Sequence, residues 1–337
     1  MRRAWRTSCV AVIVLLVIAA TAAAELQWFP VGGAPTSGGY GEALLGDGTN
    51  IYLLKCLYAT SEPVFYRYSP LEHAWASEPV SGLEAGQFRS GTALASDGAG
   101  LIYALGGGRY EDTSRTAFLA YDSTGKVWRH LASTPYAQGA GDALAWCGRN
   151  ALLYALVGSA RHNGGRSCFL AYDPTTDTWT KLAEPWPNTD DGAALAWTGD
   201  EYIYALRGEY EEVEPHGDFA RFNVTTGAWQ ALQDLPILGG VGDGGSLLYV
   251  GQWEQTQTGS LIAFAGNSAS EEPGYGVFSY RLAQAEWSSE GNVPCPAGFY
   301  VGNRLGYASG SVYYWQGSPT SAKWICGGKG LYAARVE

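Results

Sequence analysis

The sequence predicts an all-β fold, a six-bladed β-propeller with four-stranded blades, from three observations. First, a short apolar core, IYAL in its commonest form, recurs six times along the 337 residues. Its copies begin 51, 51, 50, 58 and 51 residues apart, at Ile51, Ile102, Leu153, Ile203, Leu261 and Val312. Second, in five copies an aromatic residue precedes a Trp by seven positions: Tyr68 and Trp75, Tyr121 and Trp128, Tyr172 and Trp179, Phe222 and Trp229, Tyr280 and Trp287. Third, no segment sustains a 3.6-residue apolar period, so helices are not expected. A repeat near 50 residues is typical of propellers, whose blades must stack to bury their faces.

The third copy shows the predicted blade most plainly. Four short apolar segments, 141–146, 152–157, 168–172 and 178–182, are separated by Gly, Pro and Asp turns, and we assign them to strands a, b, c and d. The predicted c–d turn reads DPTTD in this blade and DSTG in the preceding one. Such residues hydrogen-bond their own backbone or tolerate left-handed geometry, so tight turns are expected there.

These features resemble the kelch family of β-propellers, in which a hydrophobic strand leads to a glycine pair and then to a Tyr and a Trp. The interval of seven and the Tyr-Asp pairs at Tyr121 and Tyr172 match that pattern, and the resemblance covers essentially the whole mature chain. The glycine pair departs from it. Blade 1 has Lys55-Cys56, blade 2 has Gly106-Gly107, and blades 3 to 6 keep only the second glycine, as Gly158, Gly208, Gly266 and Gly317. A glycine is expected there because neighbouring backbone leaves no room for a Cβ.

The two ends of the chain predict how the ring is completed. The sixth copy stops at Glu337 before a Trp strand of its own, whereas Gln27 to Val31 looks like a strand d that lacks a blade. We expect this segment, with Trp28, to complete blade 6, which would leave no partly built blade. Residues 25–337 are therefore predicted to form one propeller domain.

Residues 1–24 read as a cleaved export signal. Arg2, Arg3 and Arg6 precede the apolar run Cys9 to Ala20, and an Ala-x-Ala cleavage site follows. Loss of these three arginines takes the formal net charge from −11 to −14. A surface this acidic argues against nucleic acid and anionic membranes as partners. We expect a secreted protein, periplasmic or extracellular, with no membrane insertion after signal removal.

Five cysteines remain after the signal: Cys56, Cys147, Cys168, Cys295 and Cys326. Export permits disulfides, and an odd number leaves at least one thiol unpaired within the chain. Cys295 and Cys326 fall in connections of the same blade and are the predicted disulfide, with Cys56 as a competing partner for Cys326. No Cys-x-x-Cys or Cys/His ligand spacing occurs, so neither a metal site nor a cofactor is predicted.

The predicted ligand-binding residues lie in the d–a and b–c connections of blades 2 to 4, which share one rim of a propeller. Arg and Glu there would hydrogen-bond the hydroxyls of a polyhydroxylated ligand, and Tyr and Trp would pack against its C–H groups. The residues are Arg109, Tyr136, Arg161, His162, Trp186, Glu209 and Glu211. Each also has an ordinary reading, as a solvated loop charge or as part of a turn. The five strand-d Trps are interpreted as inter-blade core.

No catalytic motif is present, since the chain has no Gly-x-Ser-x-Gly, phosphate-cradling glycine loop or His-Glu-x-x-His. The primary hypothesis is a non-enzymatic binding module for a glycan or a surface protein. Two alternatives stay open. One is a sugar mutarotase or isomerase acting in the same funnel, which the resemblance to exported kelch-type mutarotases suggests. The other is a self-assembling surface protein, with a homo-oligomer formed by rim-to-rim stacking.

Overall fold

The computed structural model describes most of the predicted propeller domain. The described residues are 26–35, 42–55, 62–89, 91–107, 116–157, 167–208, 217–237, 240–242, 244–251, 259–266, 276–293, 305–315 and 330–336. Every regular element in these ranges is a β-strand. None of the described segments forms a helix that could cross a membrane. The predicted signal, residues 1–24, lies outside the described part of the chain.

In the described part of the chain, 24 strands form six antiparallel four-stranded sheets, which are the six predicted blades. Blade 1 contains β2 (Ala43–Gly46), β3 (Ile51–Lys55), β4 (Val64–Ser69) and β5 (Ala74–Glu78). Blade 2 contains β6 (Ala93–Ser96), β7 (Leu101–Leu105), β8 (Phe118–Asp122) and β9 (Val127–His130). Blade 3 contains β10 (Ala143–Cys147), β11 (Leu152–Val157), β12 (Cys168–Asp173) and β13 (Thr178–Leu182).

The second half of the ring repeats this order. Blade 4 contains β14 (Ala194–Trp197), β15 (Tyr202–Leu206), β16 (Phe219–Asn223) and β17 (Ala228–Ala231). Blade 5 contains β18 (Ser246–Val250), β19 (Ser260–Phe264), β20 (Gly276–Arg281) and β21 (Glu286–Asn292). Blade 6 contains β22 (Leu305–Ala308), β23 (Ser311–Trp315) and β24 (Gly330–Arg335).

The fourth strand of blade 6 comes from the N-terminal segment. Strand β1 (Trp28–Gly33) pairs antiparallel with β24, and Trp28 lies opposite Ala334. The inner strand β22 contacts both β18 of blade 5 and β2 of blade 1. The sixth sheet therefore combines the two ends of the chain, as the sequence predicts.

The seven-residue interval between aromatic and Trp has a simple structural cause. The two residues lie directly opposite each other across the c–d hairpin in all five blades that carry the pair, for example Tyr172 opposite Trp179. The residue two positions before each Trp has a left-handed backbone, with φ between 51° and 71°. This residue is Gly227 in blade 4, but His73, Lys126, Asp177 and Ala285 in the other four. The left-handed turn geometry is therefore the same in all five blades, although only blade 4 has glycine at this position.

An apolar cluster fills each of the six interfaces between neighbouring blades. Each combines strands b and c of one blade with strands of the next. Phe118, Phe169 and Phe219 of strand c each meet the Trp of the following blade at a centroid distance of 4.9 Å. The strand-d Trps thus contribute to inter-blade packing, as predicted, and edge-on aromatic pairs of this kind add to the burial itself.

Candidate functional site

The two ends of the ring differ in what connects the strands. The loop rim carries the d–a and b–c connections, and the turn rim carries the a–b and c–d turns. Most of the sequence-predicted residues on the loop rim lie outside the described residues: Arg109, Arg161, His162, Glu209, Glu211 and both cysteines of the proposed disulfide, Cys295 and Cys326. Tyr136 and Trp186 are described, and they lie in the d–a connections that follow blades 2 and 3.

Both of these aromatic side chains are half-buried rather than free on the surface. Tyr136 packs on the apolar cluster between blades 2 and 3, and the Nζ of Lys181 lies 5.2 Å from its ring centroid. Trp186 packs on the cluster between blades 3 and 4, with its ring centroid 6.4 Å from that of Trp229. One side of the Trp186 indole therefore contacts the inter-blade core.

The d–a connections are anchored to the next blade by a repeated hydrogen bond. The indole Nε1 of a strand-d Trp donates to the carbonyl four residues after the Trp of the preceding blade. The four bonds measure 2.8–3.2 Å and run from Trp128 to Pro79, from Trp179 to Ala132, from Trp229 to Ala183 and from Trp287 to Gln233. These bonds hold the loop rim in a fixed position on the core.

Acidic residues at the start of strands a point mainly into protein. Asp142 is buried, and its Oδ1 accepts a hydrogen bond from the backbone N–H of Gly139. Glu42 is buried and accepts from the indole of Trp315, while the Nζ of Lys55 lies 3.5 Å from its other oxygen. Within the described ranges no three His, Cys, Asp or Glu side chains group together as metal ligands. Asp243 lies outside those ranges.

A further buried carboxylate, that of Glu78 in strand d of blade 1, accepts hydrogen bonds from three side chains. The Nε of Arg67, the Nζ of Lys126 and the hydroxyl of Tyr121 lie 2.6–2.9 Å from its oxygens. Burial alone would raise the pKa of Glu78, but hydrogen bonds from Lys126, Tyr121 and Arg67 outweigh it and lower the pKa. Burial, followed by the bond to this carboxylate, raises the pKa of Tyr121. The ionised Glu78 therefore ties blade 1 to blade 2.

The two described cysteines are buried thiols in different interfaces. Cys168 belongs to the cluster between blades 2 and 3, and Cys147 to the cluster between blades 3 and 4. Burial is the main reason that the pKa of each thiol is raised. Both are poor nucleophiles at neutral pH. The proposed bridge between Cys295 and Cys326 stays a prediction.

A cavity of about 280 Å³ opens at the turn-rim end of the central channel, and strands a of all six blades line it. Its deeper wall is a leucine ring, one leucine from the same register position of each strand a. The members are Leu44, Leu94, Leu144, Leu195, Leu247 and Leu305, all at most 7% exposed. Each leucine lies two residues before the mouth position on the same extended strand. The leucine ring is therefore about 7 Å below the mouth.

The mouth itself is lined by an aromatic arc on four consecutive blades. Trp146, Trp197, Tyr249 and Tyr307 occupy one register position of strands a in blades 3 to 6, opposite the first residue of each strand-b core. All four are half-buried. Each packs against the apolar cluster shared with the preceding blade, so the rings cover the interfaces between blades.

Blades 1 and 2 interrupt the arc, because the same position holds Gly46 and Ser96. A side chain at Gly46 has no space, since an added Cβ would lie within 2.6 Å of the backbone of Tyr307. The turn that follows is fixed to blade 6 by a 3.0 Å bond from Ser309 N to the carbonyl of Gly48. The mouth is thus aromatic on one side and small and polar on the other.

The two indoles of the arc are held close together over the a–b turn of blade 3. A Cβ added at Gly148 would lie 3.1 Å from Cη2 of Trp197 and 3.8 Å from Nε1 of Trp146. The ring of Trp146 is stacked on Tyr103 of blade 2, with centroids 5.9 Å apart and planes 12° from parallel. The indole N–H of Trp197 donates a 2.8 Å hydrogen bond to the carbonyl of Asp200. The arc is therefore preformed by packing.

Sequence reasoning missed the arc because it aligned the repeats on strands b and d and looked for a site in the long connections. The signal was present in the strand-a sequences. ALAW ends at Trp146 and again at Trp197, and LLY ends at Tyr249. Aligning strands a with the strand-b cores would have shown a large aromatic residue at a shared position in blades 3 to 6.

No protein-family model matches the sequence, and a search of curated proteins found no match either. The fold defines the class without them. The chain forms a six-bladed β-propeller with antiparallel four-stranded blades, an architecture whose functions are set by the sites that its rims carry.

Proposed function

We propose that the protein is an exported, non-enzymatic propeller of the kelch type that binds a glycan or another surface protein through its loop rim. The kelch type is supported by the Tyr–Trp pairs, which the fold places opposite each other in the c–d hairpins. Export is supported by the sequence of residues 1–24.

The observation that carries the binding function is the anchoring of the d–a connections. Four successive indole bonds fix these connections to the neighbouring blade, and two of the connections present the half-exposed aromatic residues Tyr136 and Trp186. A rigid backbone that presents aromatic surface reduces the entropy lost on binding. Arg109, Arg161, His162, Glu209 and Glu211 would supply hydrogen bonds beside that surface.

A sugar mutarotase in the same funnel is the alternative. It would need buried Arg and Glu side chains that converge on one ligand. A polar pocket of that kind would have to be built from Arg161 and Glu209, and no contact among the described residues favours it.

A glycan array with the mature protein, residues 25–337, tests the primary proposal. Binding should be lost in a Trp186→Ala/Arg161→Ala double variant. Because Trp186 contacts the core, this variant is expected to melt a few degrees lower, so Trp186→Phe/Arg161→Ala serves as a matched variant that keeps an aromatic contact. Glycan binding that survives both variants would place the site elsewhere. Interconversion of sugar anomers, followed by NMR, would favour the mutarotase.

A further inference from the structure

The turn-rim mouth of the channel is a second preformed pocket, on the opposite end of the ring from the proposed loop-rim surface. Its cavity of about 280 Å³ is near the lower end of the roughly 300–1,000 Å³ found for small-molecule sites. A ligand of one or two rings therefore fits. The leucine ring forms the apolar deeper wall of this pocket.

The lining is mostly apolar, with a few polar side chains. Aromatic rings stand on the side of blades 3 to 6, and Ser96, Asp47 and backbone of small residues stand on the side of blades 1 and 2. The indole of Trp146 and the phenol of Tyr249 add polar groups to the lining, whereas the indole N–H of Trp197 already donates to the carbonyl of Asp200. The mouth thus offers flat apolar surface together with donors and acceptors.

The charges around the mouth select against anions. The described residues of the a–b turns carry four acidic side chains, Asp47, Asp97, Asp200 and Glu201, and one basic side chain, Arg149. A carboxylated or phosphorylated ligand would meet a negative potential there. An uncharged ligand would not.

We propose that the aromatic arc binds the terminal ring of an uncharged sugar, with C–H groups stacked on Trp146 and Trp197 and with hydroxyls facing Ser96 and Asp47. A sugar ring has one face rich in C–H groups and a periphery of hydroxyls, which is the division that the mouth displays. The ring is terminal because a cavity of about 280 Å³ holds one or two sugar rings and not a longer chain. This site is independent of the loop-rim proposal.

The test is a titration of mature protein with the methyl glycosides of glucose, galactose and N-acetylglucosamine, monitored by saturation-transfer NMR and calorimetry. Choline and N-acetylneuraminic acid are the cationic and anionic comparison probes. At least one neutral glycoside should bind. Trp197→Ala should weaken its binding about tenfold or more, the scale of one lost aromatic contact.

A second variant keeps the test sound if Trp197→Ala disturbs the fold. Ser96→Trp fills the gap in the arc with the residue that blades 3 and 4 carry at the same position, so the mouth closes while Trp146 and Trp197 are kept; the Ser96 hydroxyl loses only its 3.1 Å bond from the N–H of Gly98. Binding of the glycoside should disappear in this variant. Leu71→Ala, at a 91% exposed side chain in the c–d turn of blade 1 and outside both proposed surfaces, is the control and should leave it unchanged.

Several results would overturn the proposal. These are binding of no neutral glycoside, glycoside binding that persists in Ser96→Trp, and binding restricted to choline or to N-acetylneuraminic acid. Loss of glycoside binding in Trp186→Ala with retention in Ser96→Trp would assign the sugar to the loop rim instead. That result would support the proposed function while removing the turn-rim site.

Discussion

The indole Nε1 of Trp315 in blade 6 donates a 2.7 Å hydrogen bond to Oε2 of Glu42 in blade 1. The residues are 273 positions apart, and both are buried. The Nζ of Lys55, whose side chain is 0% exposed, lies 3.5 Å from the other oxygen of Glu42. The indole bond therefore joins the last blade to the first, and the buried ion pair within blade 1 holds the Glu42 carboxylate that accepts it.

The first prediction concerns this ion pair. Glu42→Gln keeps an acceptor for Trp315 but leaves the charge of Lys55 without this carboxylate, so the free energy of unfolding should fall by about 3 kcal/mol. Glu42→Gln/Lys55→Met removes both charges and should recover much of that loss. Urea unfolding of the two variants measures the difference. An equal loss in both would mean that the charge pairing is not what stabilises the interface.

The second prediction concerns the strand that both ends of the chain share. Deleting Glu25 to Pro35 removes β1, its ladder with β24 and the edge-on contact of Trp28 with Tyr314, whose ring centroids are 6.0 Å apart. We expect a loss of several kcal/mol, since a half-buried Trp and a whole outer strand are removed. A chain that lacks only residues 1–24 is the control. Equal melting temperatures for the two chains would contradict the role of β1.

The third prediction concerns the c–d turns, where blades 4 and 5 form a natural comparison. Gly227 and Ala285 occupy the same position, with φ of 71° and 56°. A left-handed backbone costs a residue with a Cβ about 1 kcal/mol relative to glycine. Ala285→Gly should therefore stabilise the protein by up to about 1 kcal/mol, and Gly227→Ala should destabilise it by a similar amount. Changes of the same sign in both variants would contradict this account.

The architecture was predictable from the sequence because repetition reports it many times over. A single Tyr–Trp interval is weak evidence, but five copies at a constant spacing predict the c–d hairpin. Trp28 belongs to no N-terminal repeat, which points to the incomplete sixth blade. Contacts that occur once in the ring had no such support. The pairing of Glu42 with Trp315 joins distant parts of the chain, and Trp315 stands where the other five repeat cores have Leu or Phe.

The candidate sites were less predictable for a related reason. Trp146 and Tyr249 end apolar strands and look like ordinary core residues until the six strands a are placed side by side. Glu78 stands where blades 2 to 4 have Leu131, Leu182 and Leu232. Only the three-dimensional arrangement of Arg67, Tyr121 and Lys126 explains why a carboxylate replaces leucine there.

The last prediction is a pH dependence that follows from Glu78. Burial would raise its pKa, but the hydrogen bonds from Lys126, Tyr121 and Arg67 prevail and hold the pKa below the ordinary value of 4.5. A carboxylate with a lowered pKa in the folded state contributes stability above its unfolded-state pKa. That contribution is lost as the pH falls through the folded-state value. The melting temperature should therefore decline below about pH 4.5, partly because of this one residue.

Glu78→Gln separates this residue from the other acids. At pH 7 the variant should be less stable by roughly 1–3 kcal/mol, since two cations and a tyrosine hydroxyl lose a charged partner. Its melting temperature should fall less steeply than that of the unmodified protein between pH 5 and pH 3. Glu286→Gln, at an exposed carboxylate in strand d of blade 5, is the matched control and should leave the stability at pH 7 nearly unchanged. Parallel pH profiles for Glu78→Gln and the unmodified protein would show that Glu78 does not contribute to the acid sensitivity of the fold.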